Sequence, residues 1–218
     1  MMQHSAVVDH LVVAARTLEE GVQWCEATLG ITPGPGGKHP LMGTHNRLFS
    51  IASNAFPNAF FEIIAIDADA PQPGRARWFG LDRIDLSSGP RLLTYVARTA
   101  ALDAALAALR DAGFDGGRAL AASRDTPLGL LQWRIAVRDD GAALCGGAVP
   151  TLIEWGERHP AASMPSSGVV LRSLALRGVA RPAIAALGLE TATFTDTSGP
   201  AIEARLGTPG GPVTLTSQ

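Results

Sequence analysis

The sequence predicts an α+β fold of repeated βαβββ units. The units pair as curved mixed sheets around a concave cavity, and a third, degenerate βαβββ unit follows them. Three observations predict this. An order of strand, helix, strand, strand, strand can be read three times along the 218 residues. Each helix closes on Leu-Gly or Ala-Gly, at Leu29-Gly30, Ala112-Gly113 and Leu187-Gly188. The run Pro150-Thr151-Leu152-Ile153-Glu154 is echoed by Pro212-Val213-Thr214-Leu215-Thr216, each closing its unit. A single such unit cannot bury both faces of its own sheet, so units must pair. A pair of curved sheets leaves a hollow, where a small molecule would bind.

The elements follow in order. Val7–Ala15 is an apolar run with β-branched residues, hence a strand. Thr17–Leu29 has helical spacing, with Leu18, Val22, Cys25 and Leu29 on one face. Thr17 and Glu20 form a capping box at its start and Gly30 stops it. After the Gly/Pro-rich stretch Ile31–Gly37, the apolar runs Asn46–Ala52 and Ala59–Asp67 are strands separated by a turn at Ser53-Asn54. The second unit repeats the order: strand Leu92–Arg98, alanine-rich helix Leu102–Ala112, strands Ala119–Ser123, Leu130–Val137 and Thr151–Trp155. The third has strand Val169–Leu176, a short helix Pro182–Leu187, and strands Thr191–Thr195, Ala201–Leu206 and Val213–Thr216. Stretches rich in Pro and Gly or Ser mark the boundaries. The division is therefore 5–70, a connector 71–90, 91–160 paired with the first unit, and 168–218.

Composition narrows the function. Charged residues are only 17% and mean hydropathy is +0.16, which excludes intrinsic disorder. With 18 Lys+Arg against 20 Asp+Glu there is no basic excess to attract nucleic acid. No apolar run reaches the roughly 20 residues that span a bilayer, so no membrane partner is expected. The N-terminus shows no basic region followed by an apolar stretch, and Cys25 and Cys145 form no Cys-x-x-Cys pair. These features place the protein in the cytoplasm with reduced thiols.

The repeat, with Asp9-His10-Leu11-Val12 in its first strand and Phe61-Glu62-Ile63-Ile64 in its last, resembles the vicinal oxygen chelate superfamily. That superfamily includes glyoxalase I, extradiol dioxygenases and antibiotic-resistance proteins. The stretches Gly36–Pro40, Gly43–Leu48, Phe61–Ile66 and Leu152–Trp155 are most similar to its glyoxalase-like domain branch. The resemblance covers Val7 to about Pro160 and implies a metal held between two paired units. Each unit would give a ligand from its first strand, usually His, and one from its last, usually Glu. It implies His10, Glu62 and Glu154 as metal ligands, with Glu62 and Glu154 as the catalytic acids or bases. Aligning Leu18 with Leu102 places Thr94 in the position of His10, so the second histidine is missing. His39, Asn46, Thr94 and Trp133 are the expected substrate-contacting residues. His159, after Glu157-Arg158, reads as exposed.

Two functions follow from the resemblance. One is a divalent-metal-dependent (Mn, Fe, Mg or Zn) lyase, isomerase or dioxygenase acting on a small substrate with vicinal oxygens. The other is a metal-free protein that binds or sequesters a small molecule in the same cavity. Retained acids in apolar strands favour the first; the missing histidine favours the second. The partner in either case is a small-molecule ligand, and a homodimer is a further possibility because superfamily members pair units within one chain or between two.

Overall fold

The computed structural model describes residues 5–196 and 198–217. Its elements are β1 (Val7–Ala14), α1 (Leu18–Leu29), β2 (Lys38–His39), β3 (Thr44–Ser50) and β4 (Phe60–Ile66), then β5 (Arg91–Arg98), α2 (Leu102–Asp111), β6 (Arg118–Arg124), β7 (Leu131–Val137) and β8 (Thr151–Trp155). The last part holds β9 (Val170–Arg177), α3 (Arg181–Ala186), β10 (Ala192–Thr195), β11 (Ile202–Thr208) and β12 (Gly211–Thr216).

The first ten elements build one eight-stranded sheet in the order β2-β3-β4-β1-β5-β8-β7-β6. The order reads the same from either edge: within each half the first strand runs parallel to the last, and the halves join where β1 meets β5 antiparallel. The two units therefore pair within one chain, with β1 and β5 at the centre. Both central strands are buried along almost their whole length, which suits their Val- and Leu-rich sequences. The sheet curls until its edges come together, with β2 close to β6.

One face of the sheet is covered by α1 and α2, whose Cys25, Leu29, Leu102, Ala105 and Leu109 pack on Leu11, Val13, Phe61 and Ile63. Alternation sends Val12, Ala14 and Ile64 to the other, concave face. Thr17 caps α1 by accepting a hydrogen bond from the Glu20 N–H, and Gly30 ends it in the left-handed conformation at φ 72°. The capping box is completed one residue early: Glu20 accepts from the Arg16 N–H rather than from the cap itself.

The third strand-helix-strand-strand-strand segment departs from the expected repeat. Its four-stranded sheet has the order β10-β9-β11-β12, so β9 is flanked by β10 and β11 and the last strand lies at an edge. In the first two units the last strand lies beside the first. The element order repeats a third time, but the strand pairing does not. This sheet packs through Leu171, Leu174, Leu176 and Ile202 into the core on the helix-covered face.

Candidate active site

The concave side of the large sheet holds a narrow cavity, partly open to solvent. His10, His39, Asn46, Glu62 and Trp133 all line it. His10 of β1 and Glu62 of β4 face the same space because β1 and β4 run parallel with His10 beside Phe60. Phe60, two residues from Glu62 and on the same face, stacks on the His10 ring at 4.3 Å between centroids.

The polar floor is a chain of hydrogen bonds. His10 Nδ1 donates to Asp9 Oδ1 at 2.6 Å. Its other nitrogen, Nε2, faces Glu62 Oε2 at 3.5 Å. Glu62 Oε1 accepts from Asn46 Nδ2 at 2.6 Å. The Asn46 amide is fixed from behind, because its Oδ1 accepts from the Gly37 N–H at 2.8 Å. Asn46 Nδ2 also contacts His39 Nε2 at 3.3 Å, and His39 Nδ1 lies 3.0 Å from the Thr44 hydroxyl. His39 is therefore neutral, donating from Nδ1 to Thr44 and accepting at Nε2. Burial is the main force that pushes its pKa down to about 4; Glu62 opposes this and Arg124 and His10 add to it.

His10 behaves in the opposite way. Burial alone would discharge it, but the hydrogen bonds and charges of Asp9 and Glu62 outweigh burial and hold its pKa up at about 9. The same contacts overcome burial at the carboxylates, so both Asp9 and Glu62 titrate below their ordinary values. At neutral pH the floor holds an imidazolium between two carboxylates.

Asp9 is the residue that reading by alternation misses. Neighbouring strand residues point to opposite faces, so Asp9 would turn away from His10. A bulge between Val8 and His10 re-aims it. Fully buried, Asp9 also accepts from Trp155 Nε1 at 3.1 Å and His159 Nε2 at 2.8 Å, with Arg98 3.5 Å away. His159 is thus not a solvated residue: it is mostly buried, and its Nδ1 accepts from the Ala161 N–H. Trp78 and Phe79, from the connector, also line the cavity, as does Arg124 from β6.

Two expected residues lie elsewhere. Glu154 does not meet His10 and Glu62. Ile153 and Trp155 line the cavity, so Glu154 between them lies on the other face of β8. There it accepts from Arg134 at 3.1 Å and from the Leu102 N–H at 3.4 Å. The cap position of α2 is Ala101, which has no capping side chain, so Glu154 supplies the negative charge at that helix start. Thr94 pairs across the sheet with Val12, whereas the residue facing His10 is Val96. The Thr94 hydroxyl donates to the Gly147 carbonyl at 3.1 Å and Thr94 is absent from the cavity wall.

These placements decide how the residues suit a divalent metal. The donors on the floor are His10, His39 and Glu62. His10 Nδ1 is bound to Asp9, and His39 Nε2 faces an amide N–H. The second unit offers Trp133, Ile135, Ile153 and Trp155 to the cavity instead of ligands. Among the described residues no three His, Cys, Asp or Glu side chains come together in a metal-binding arrangement. This donor set does not fit the ion.

Gly36 holds the loop against this floor. A Cβ there would lie 2.0 Å from the Asn46 carbonyl oxygen, a backbone atom within the β3–β4 ladder. Gly36→Ala is therefore expected to destabilise the fold by about 1–3 kcal/mol. Chemical denaturation checks this; an unchanged midpoint would mean that the loop can lift away freely.

A cup-shaped sheet made from two β1-to-β5-joined halves, with a histidine and a glutamate on its floor, defines a protein of the vicinal oxygen chelate class. Residues 8–192 match the glyoxalase-like domain family, and the chain belongs to it. No curated protein matches the sequence. Among solved structures, a hypothetical protein from Staphylococcus aureus is similar at 13% identity and a TM-score of 0.59, over 88% of this chain and 86% of that one. Methylmalonyl-CoA epimerase from Mycobacterium tuberculosis is 17% identical with a TM-score of 0.43, over 75% of this chain and 97% of that one. No helix among the described residues is long and apolar enough to cross a membrane.

Proposed function

We propose that this protein is an acid–base enzyme of the isomerase or lyase type. It moves a proton at a carbon next to a polarised oxygen of a small, largely apolar substrate, and it works without a divalent metal. One observation carries the proposal: His10 Nε2 and Glu62 Oε2 face each other across 3.5 Å of the cavity floor, each held from behind by its own partner. Glu62 is the base that takes the proton from carbon. Protonated His10 donates to the substrate oxygen as negative charge develops there, the task that a metal has elsewhere in the superfamily. Asp9 keeps His10 charged and oriented, and Asn46 orients Glu62. Trp133, Trp155 and Phe60 form the apolar wall around the substrate body. The cavity is complete within one chain, so the reading needs no second copy.

The test is deuterium exchange at the acidic carbon of 1-phenylpropan-2-one and phenylpyruvate, followed by NMR in heavy water. Exchange above the buffer rate is expected, with a loss of about 100-fold or more in Glu62→Gln. Dialysis against EDTA is expected to change nothing. Exchange that EDTA abolishes and a divalent ion restores overturns the metal-free mechanism. If both compounds bind but neither exchanges, the protein sequesters its ligand and the enzyme reading is wrong.

A further inference from the structure

The cavity wall carries two hydrogen-bond donors for which the fold provides no acceptor. The Arg124 Nε and the Trp78 Nε1 are both buried, and neither has a partner among the described residues. Both side chains line the cavity. They flank the same pair of residues: Arg124 reaches Asn46 Oδ1 at 3.3 Å, and the Trp78 ring meets His39 edge-on at 5.2 Å between centroids. Buried donors nearly always find an acceptor, and a guanidinium withdrawn from water needs one most. The other buried donors without a partner, on Arg75, Arg77, Arg91 and Arg177, lie away from the cavity wall.

Arg124 is half-buried on the cavity wall, and no carboxylate among the described residues lies within ion-pair distance of its guanidinium. The neutral amide oxygen of Asn46 is its only described partner. The chain also makes room for it. A Cβ on Gly37 would come within 2.2 Å of Arg124 Nη1, so this glycine lets the guanidinium lie against the backbone of the loop beside β2. The arginine therefore sits at the seam where the two edges of the sheet approach, facing inward, with the Glu62 carboxylate acting on it only from a distance and no carboxylate in contact.

We infer that Arg124 and Trp78 form an anion site, and that the ligand of this cavity is a small carboxylic acid with an apolar or aromatic body. The carboxylate takes the Arg124 fork and the Trp78 indole N–H, while the body lies against Trp133, Phe60 and Ile153. The inference deepens the proposed function and rests on it for the identity of the cavity. It names the end of the substrate that is held while the other end meets His10 and Glu62.

Calorimetry with 3-phenylpropionate and its neutral analogue 3-phenylpropanamide tests the anion site without any turnover. The acid is expected to bind the wild-type protein at least 10-fold more tightly than the amide. Arg124→Leu is expected to weaken the acid by about 10- to 100-fold and to leave the amide within about threefold. Trp78→Phe keeps the ring and removes the N–H, and is expected to weaken the acid alone, by about 3- to 10-fold. Arg124→Lys keeps the charge without the fork and should retain part of the preference; it decides the matter if the leucine variant fails to fold. Three results overturn the inference: equal binding of acid and amide, an acid affinity indifferent to Arg124→Leu, or no binding of acids from acetate to 3-phenylpropionate at millimolar concentration. The two proposals fail separately. Acid preference without proton exchange leaves the anion site standing, and exchange without acid preference leaves only the acid–base reading.

Discussion

Asp9→Ala is expected to lower the thermal unfolding midpoint by roughly 10 °C and to abolish proton transfer. Asp9 is fully buried and serves His10, Trp155 and His159 as acceptor, with Arg98 nearby. Removing one member of a buried, hydrogen-bonded charge network leaves the others desolvated without partners and costs about 3–5 kcal/mol. In a chain of this size each kcal/mol lowers the midpoint by roughly 2–4 °C. The variant also takes away what holds His10 charged, so any remaining fold carries a neutral imidazole. Asp9→Asn keeps the shape and one acceptor oxygen, and should fall between the alanine variant and wild type. Differential scanning calorimetry of the three proteins gives the answer. A midpoint for Asp9→Ala within about 2 °C of wild type would mean that the network adds little to stability.

The second large effect is the pH dependence of stability. The folded-state pKa of His10 is raised from 6.5 to about 9. The stability it contributes is therefore fully present below about pH 6.5 and is lost as pH rises through 9, because the unfolded chain releases the proton first. The shift corresponds to about 3 kcal/mol across that window. Asp9 and Glu62 act in the opposite direction, both being lowered from 3.8 and 4.5. Their stabilisation is present above those values and is lost as pH falls through the folded pKa values. His39, lowered from 6.5 to about 4, stays neutral in the folded protein while the unfolded chain takes up a proton, so it adds a loss as pH falls below 6.5; stability should thus be highest near pH 6.5 and decline on both sides. Urea unfolding at several pH values measures it. In His10→Gln the alkaline decline should disappear; if it remains, another group is responsible.

Much of this was legible in the chain. Regular positions were the easiest: helix α1 with Thr17 and Gly30, the central strands, and Glu62 inside an apolar run. Each rests on local periodicity or on the cost of a buried charge. Other features depend on contacts between distant residues, and periodicity carries no sign of those. Asp9 turns inward only because of a bulge formed with β5. Glu154 looked like a second buried acid, yet it answers a helix start 52 residues earlier whose own cap position is alanine. Aligning the helices sets Thr94 in the position of His10, but its hydroxyl is turned to the Gly147 carbonyl and it does not line the cavity. Arg124 and Trp78 come from an edge strand and a connector, and only the closing of the sheet brings them to the cavity. The third segment kept its element order while changing which strands pair, a difference that element order cannot express.

The joining of β1 to β5 within one chain has an evolutionary consequence. In a dimer of identical units every substitution enters the site twice, on both sides of the axis at once, so neither side can specialise alone. Here a change enters once. Ile153 and Trp155 can stand on one wall while Glu62 stays on the other. The connector through Trp78 and Phe79 keeps the halves at high local concentration whatever their surfaces become, so divergence costs little in assembly. A lopsided site of this kind, ionisable on one wall and aromatic on the other, lies within reach of a single covalent chain and is closed to a strictly symmetric pair.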